Sequence, residues 1–286
     1  MGFHKKLICL RQTSILAPCQ FAIIALGMVL IGGLTMNAAN ADSVKERLEN
    51  SPRHHEWVKV TAENGRVVSA FLAFPEIKEK ATSVVVIHEN RGLTDWVRWV
   101  GDELAKNGFV AICPDFLSGT GPGGGGTESF ASSDAARAGI YELDADQITT
   151  DLKAVKDYVR NLPSTTDKVA VAGFCWGGGQ TFRFATNDDS IAAAFVFYGS
   201  PPKKEDIGRI ACPVYGFYGE TDNRINATIE DTQEAMTAAT KTYEPVIYAS
   251  VGHAFLRQGM EQEDSEVEKS ATREAWSRLL KLLNGI

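Results

Sequence analysis

The pentapeptide Gly173-Phe174-Cys175-Trp176-Gly177 constrains this chain more than any other feature. It follows the apolar run Val169-Ala170-Val171-Ala172 and precedes a stretch compatible with a helix, so a strand must turn sharply into a helix within it. Glycines two residues to either side of Cys175 let backbone segments approach where a Cβ would clash, as a strained strand-to-helix turn requires. The pattern is G-x-S-x-G with cysteine in place of serine, which presents a nucleophile at a helix start. There the partial positive charge of the helix favours thiolate, the reactive form. The competing reading is a buried structural cysteine, a common fate of free Cys. The strand-turn-helix setting favours the nucleophile.

Around this turn the chain alternates. Apolar segments at 83–88, 109–113, 168–173, 191–198, 213–218 and 245–250 read as strands. Helical stretches follow from 94, near 144–161, from 177, near 226–240 and near 263–283. Buried strands alternating with helices call for an α/β fold with a mostly parallel sheet covered on both faces. Ahead of it, segments 56–62 and 66–74 flank Asn64-Gly65, a hairpin signal, so the sheet begins antiparallel. The run 118–126, with its Gly-Pro-Gly-Gly-Gly-Gly core, cannot hold regular structure cheaply. No Gly-Lys-Ser/Thr follows it, which argues against a phosphate-binding P-loop. It reads as a mobile loop beside the site or as a plain surface linker.

A chain of 286 residues, 44% hydrophobic and 23% charged, can bury the core of one sizeable domain, assigned here to residues 42–286. The formal charge of −7 and the absence of a long Lys/Arg run argue against nucleic acid or an anionic membrane as partner. A small molecule is the expected partner. Residues 1–41 are read separately, because basic His4, Lys5, Lys6 and Arg11 precede an apolar run from Phe21 to Leu34 and then Ala39-Asn40-Ala41. That order is a secretory signal with cleavage after Ala41, which places the mature chain in the periplasm or outside the cell. An uncleaved anchor is disfavoured, since the apolar run falls short of the ~20 residues that span a bilayer. Of five cysteines, Cys113, Cys175 and Cys212 remain in the mature chain. Cys113 ends one predicted strand and Cys212 precedes another, at opposite edges of a parallel sheet, so no disulfide is expected.

Two further residues stand where Cys175 would need them. Asp222 follows the strand segment 213–218 and His253 follows 245–250, in the order nucleophile, acid, histidine. Both would project above the carboxyl ends of the strands. Singly, such an Asp is often a cap and such a His a surface residue; together with Cys175 they read as a triad. His253 would take the thiol proton, and Asp222 would fix its tautomer. His88-Glu89-Asn90-Arg91-Gly92-Leu93 follows the first core strand. It is not the zinc motif H-E-x-x-H, because Gly92 stands at the second His position. The backbone N–H groups of Asn90 and Trp176 are the expected oxyanion donors, and no metal is implied.

The Cys175 turn, His88-Glu89 with Gly92-Leu93, Cys113-Pro114-Asp115 and the Asp222 and His253 loops together resemble the dienelactone hydrolases. The resemblance runs from about Glu56 to the C-terminus and implies the α/β-hydrolase fold. It also implies cofactor-free cleavage of an ester or lactone, typically an enol-lactone. Glu89 would then interact with the resting thiol and help generate the thiolate when substrate binds; a structural ion pair with Arg91 or Arg98 is the alternative. Arg257, four residues past His253, would bind a substrate carboxylate, or be a solvated surface arginine. Arg137 is a candidate for a second such arginine. The stretch 222–226 looks closer to exported branches of the family. Trp96, Trp99 and Trp176 read as pocket walls or as helix-core aromatics. Two alternatives stand beside the lactonase: a generic exported carboxylesterase or thioesterase, and a non-catalytic binding protein on the same scaffold.

Overall fold

A computed structural model describes residues 43–261 and 265–286, so the predicted signal segment 1–41 lies outside the described residues. The elements run α1 (Val44–Glu49), β1 (His55–Thr61), β2 (Val67–Ala73), β3 (Ala81–Ile87), α2 (Asp95–Lys106), β4 (Val110–Pro114), α3 (Ser133–Tyr141) and α4 (Ala145–Arg160). They continue with β5 (Thr165–Phe174), α5 (Trp176–Ala185), β6 (Ala193–Phe197), β7 (Val214–Gly219), α6 (Asn223–Asn226), α7 (Ile229–Ala238), β8 (Tyr243–Tyr248), α8 (Phe255–Glu261) and α9 (Glu266–Leu283). Among the described residues no helix is long and apolar enough to cross a membrane.

One eight-stranded sheet has the order β1-β2-β4-β3-β5-β6-β7-β8. The first hairpin pairs Thr61 with Val67 and turns through Gly65 at φ 84°, a conformation glycine adopts without Cβ strain. β2 also runs antiparallel to β4, and the pairs from β4 through β8 are parallel. This is the α/β-hydrolase arrangement expected from the alternation. The chain leaves β3 for β4 on one side and then crosses to β5 on the other. The loops after β3 and β5 therefore part in opposite directions and open a crevice at the carboxyl ends of these strands.

Alternating side chains feed two core layers. Val84, Val86, Ala170 and Ala172 join Trp96, Val97 and Phe174 on one face of the sheet. Val85, Ile87, Val169 and Val171 join Leu152, Val155 and Phe182 on the other. Asp144 caps α4 by accepting from the N–H groups of Asp146 and Gln147, which fixes where that helix begins. Cys113 and Cys212 are free and lie in opposite layers, on or beside strands separated by β3, β5 and β6.

The glycine-rich run, read from the sequence as a mobile loop beside the site or a plain surface linker, contains a short 3-10 turn at Pro122–Gly124. It is followed by Thr127, whose N–H and Oγ1 donate to the buried Asp115 carboxylate at 2.7 Å each, while its Oγ1 accepts from Leu93 N at 2.9 Å. The Asp115 carboxylate thus anchors the chain where the run ends. The predicted helix over 226–240 is divided into α6 and α7, and α1, α3 and α8 were not expected.

Asp102 of α2 ties the amino-terminal segment to the domain. Its side chain is 1% exposed and accepts from Ser51 Oγ at 2.6 Å, Arg53 Nε at 2.7 Å and His55 Nε2 at 2.8 Å, with a second bond from the Arg53 guanidinium. Burial alone would raise its pKa, but the hydrogen bonds from His55, Arg53 and Ser51 outweigh that and hold it well below the usual carboxylate range. Asp102→Asn is expected to cost about 2–3 kcal/mol at pH 7, measured by urea unfolding. A depressed folded-state pKa contributes stability above the unfolded value of about 3.9 and loses it as pH falls below that. The gap between wild type and variant should therefore narrow at pH 3; an equal gap at both pH values would mean that the charge is not what matters.

Candidate active site

The chain enters the site at the end of β5. Cys175 takes φ 56° and ψ −115°, a strained conformation for a residue with a side chain, and its N–H donates to Phe197 O at 3.0 Å. The glycines explain how this is possible. A Cβ on Gly173 would stand 2.2 Å from Gly177 O, and one on Gly177 would stand 2.3 Å from His88 O. Only glycine lets α5 start this close to the end of β3.

That approach brings three chain segments to one sulfur. His253 Nε2 lies 3.1 Å from Cys175 Sγ, and His253 Nδ1 lies 2.5 Å from Asp222 Oδ2. The His253 side chain is 32% exposed and that of Asp222 only 6%, so the acid is buried behind a histidine that reaches the cleft. Asn90 and Trp176 line the same cleft as Cys175, and Trp176 opens α5 directly after it. The structure thus joins Cys175, His253 and Asp222 in one line, with Asn90 and Trp176 lining the same cleft.

His88 explains why the Asn90 segment is placed so well. It is fully buried, and its ring stacks on Trp176 at 5.3 Å. Phe116 N donates to Nε2 at 3.3 Å, so Nε2 accepts and the proton sits on Nδ1, which donates to Glu89 O at 2.7 Å. Burial lowers its pKa, which keeps it neutral in this role. Among the described residues no group of three or more His, Cys, Asp or Glu side chains could hold a metal ion.

Glu89 and Arg257 are arranged differently from expectation. Arg257 donates from Nε to Glu89 Oε2 at 2.8 Å and from Nη1 to Glu261 Oε2 at 3.2 Å. Arg257 is therefore neither a solvated arginine nor a guanidinium with both edges open. Glu89 in turn bonds Arg257, and Arg98, one of its expected partners, pairs with Asp95 instead. No hydrogen bond joins Glu89 to the thiol, yet its charge reaches it. Burial, and next the Glu89 charge, raise the Cys175 pKa, and these outweigh the N–H groups of Trp176 and Asn90 and the charge of Arg224. The helix start pulls toward thiolate as the sequence suggested, but it does not win.

Tyr198 was not anticipated. It follows β6 with φ 40°, directs its hydroxyl to Glu89 Oε1 at 3.5 Å and sets its ring edge-on to His253 at 5.1 Å. A bulky residue in this region of φ is rare outside functional sites, and the only sequence signal is its place just past a core strand. Trp176 lines the cleft with Cys175, whereas Trp96 lines an adjoining cavity of about 740 Å³ and Trp99 neither. Arg137 lines the Cys175 cleft and stacks on Tyr141 at 5.9 Å.

Comparison with known proteins shows the family and the fold. The dienelactone hydrolase family profile matches residues 68–286. A Salmonella typhimurium protein provisionally named carboxymethylenebutenolidase is 29% identical over 232 residues, covering 76% of this chain and 82% of its own. Protein usf of Aquifex pyrophilus is 30% identical over 230 residues, 75% of this chain and 91% of its own. The crystal structure of a provisionally named dienelactone hydrolase from Klebsiella pneumoniae superposes with a TM-score of 0.71 at 23% identity, covering 82% of this chain and 99% of that one.

The thiols differ enough in setting to be told apart chemically. Cys113 is fully buried and burial pushes its thiol far up; Cys212 is 7% exposed and pushed up to about 12. Among the three described cysteines of the folded chain, iodoacetamide is expected to label Cys175 alone, at a rate that climbs only above the ordinary thiol pKa of about 8.5. Glu89→Gln removes a charge that opposes ionisation, so the same profile, followed by mass spectrometry, should move to lower pH. Equal labelling of all three cysteines, or an unmoved profile, would contradict this electrostatic account.

Proposed function

This chain belongs to the dienelactone hydrolase family and is a hydrolase, and we propose that it cleaves an ester or lactone through a Cys175-His253-Asp222 triad and an acyl-enzyme. The observation that carries the proposal is the unbroken line from Sγ to Nε2 at 3.1 Å and from Nδ1 to Oδ2 at 2.5 Å. As substrate binds, His253 Nε2 takes the thiol proton and Sγ attacks the carbonyl carbon. The oxygen gains negative charge where the Asn90 and Trp176 N–H groups converge, so they stabilise the tetrahedral intermediate more than the substrate. The C–O bond breaks, His253 returns its proton to the leaving oxygen, and the acyl group stays on sulfur. Water, deprotonated by His253, then attacks the thioester and restores the thiol as the carboxylic acid departs. Asp222 holds the Nδ1–H tautomer and balances the imidazolium charge throughout.

The strained turn and the raised thiol pKa fit a site that rests protonated. Glu89, whose charge opposes ionisation of Cys175, holds the sulfur in its less oxidisable form until substrate enters. Arg257 in this reading anchors Glu89. No step calls for a cofactor. The basic, apolar and small-residue order of segment 1–41 supports export; intact mass of the cell-derived protein should then correspond to a chain that begins at Asp42.

A generic carboxylesterase or thioesterase would use the same machinery, and substrate choice separates the two. Hydrolysis of a dienelactone and of a neutral aryl ester should be measured for wild type, Cys175→Ala and His253→Ala. Both variants are expected to lose at least about a thousandfold in kcat/KM. Turnover of the ester but not the lactone would keep the mechanism and discard the lactone; undiminished activity of Cys175→Ala would overturn the proposal.

A further inference from the structure

Glycine inside a helix costs stability, and it is retained where a side chain would collide. Among the described residues Gly101, Gly139, Gly177, Gly178 and Gly259 answer to that rule, since a Cβ on any of them would stand 3.0 Å or closer to a neighbouring atom. Gly179 does not. Its Cβ would come no nearer than 3.6 Å, to Ser200 O, which is an ordinary contact, and its backbone is regular helix within α5. Alanine would fit there and would favour the helix. Packing therefore gives no reason for a glycine at this position.

Its place in the site does. Gly179 N donates to Cys175 O at 3.2 Å, so the two residues lie one turn apart on one face of α5, and both line the cleft of about 970 Å³ that His253 also lines. Every Cα–Cβ bond of a helix tilts toward the amino terminus, so a side chain at 179 would lean back toward Cys175 and fill the space beside Sγ. Its absence keeps that space clear. Gln180 lines the same cleft, and its Oε1 is buried without a hydrogen-bond partner. A buried carbonyl oxygen in that state is a hydrogen bond not yet made, which a donor carried by a bound molecule would complete.

The three substituents of the scissile carbonyl carbon divide the space around Sγ. The leaving oxygen must meet His253 Nε2 to take its proton, and the carbonyl oxygen turns toward the Asn90 loop after β3. The acyl substituent is left the α5 side, where Gly179 stands. We propose that Gly179 is a specificity-determining residue: the room it leaves admits an acyl group branched next to the carbonyl, and Gln180 Oε1 accepts a hydrogen bond from a hydroxyl on that group. The inference rests on the reading of Cys175 as the nucleophile, and it names the substrate class as a neutral ester or lactone of a branched α-hydroxy acid.

Phenyl acetate, phenyl pivalate and phenyl α-hydroxyisobutyrate test its two parts, because the last two differ only by a hydroxyl in place of a methyl. Comparing ratios between wild type and variant cancels the intrinsic reactivity of each ester. Gly179→Ala should melt no lower than wild type, yet lower kcat/KM for pivalate relative to acetate about tenfold, and Gly179→Leu should lower it further. Gln180→Leu should lower kcat/KM for α-hydroxyisobutyrate relative to pivalate roughly fivefold. Alkylation of Cys175 adds a readout that needs no turnover: the rate with N-phenyl iodoacetamide over that with iodoacetamide cancels any change in thiol pKa and should fall in Gly179→Leu. A melting temperature lowered by Gly179→Ala would make the glycine structural and overturn the inference, as would an unmoved ratio in either Gly179→Leu or Gln180→Leu while wild type still turns over the esters, a result that leaves the hydrolytic reading standing. If the alkylation ratio falls as expected while wild type hydrolyses none of the three esters, the opening beside Cys175 stands and the hydrolytic reading falls.

Discussion

Everything at this site depends on how closely α5 approaches the carboxyl end of β3. The approach is set by two missing side chains, at Gly173 and Gly177, where any Cβ would stand within 2.3 Å of a carbonyl oxygen. Crowding on both sides forces Cys175 to φ 56° and leaves its Sγ facing the crevice. The same crowding sets Trp176, at the helix start, and Asn90, in the loop after β3, along one cleft with Cys175. Because the chain leaves β3 and β5 in opposite directions, no connection crosses above them, and loops from β7 and β8 can lean in with Asp222 and His253.

The electrostatics around this turn are a balance of opposed effects. A helix start and two amide donors favour thiolate, yet burial and the Glu89 charge favour the thiol, and the second group prevails at rest. Glu89 is itself raised by burial and drawn back by Arg257, so its charge, its partner and the thiol form one coupled set. Tyr198, whose pKa is raised well above its ordinary value by burial and then by Glu89, stays a neutral hydrogen-bond donor to that carboxylate. A reactive sulfur gains from such restraint, since sulfenic acid forms from thiolate.

Much of this was readable in the sequence because the information is local. The β3 to β8 strands are short apolar runs, and the turn glycines, Asp222 and His253 each sit at a fixed offset from a strand end, where backbone geometry decides direction. What escaped the sequence is non-local or weakly patterned. Arg257 and Glu89 are 168 residues apart, and nothing in the sequence pairs them in preference to Arg91 or Arg98. The short helix α8 begins at Phe255 only because Ala254 takes φ 62°, which no residue preference announces. The anchoring of the glycine-rich run's end to Asp115, through Thr127, is likewise invisible in the glycines themselves.

A nucleophilic Cys175 must become covalently acylated during each catalytic cycle. Rapid acid quench of the chain with an activated aryl ester, followed by intact mass and peptide mapping, tests it most directly. The account predicts one acyl group per chain, on the peptide that carries Cys175. Sustained hydrolysis with no acyl group on Cys175, or with the group on another residue, would contradict it.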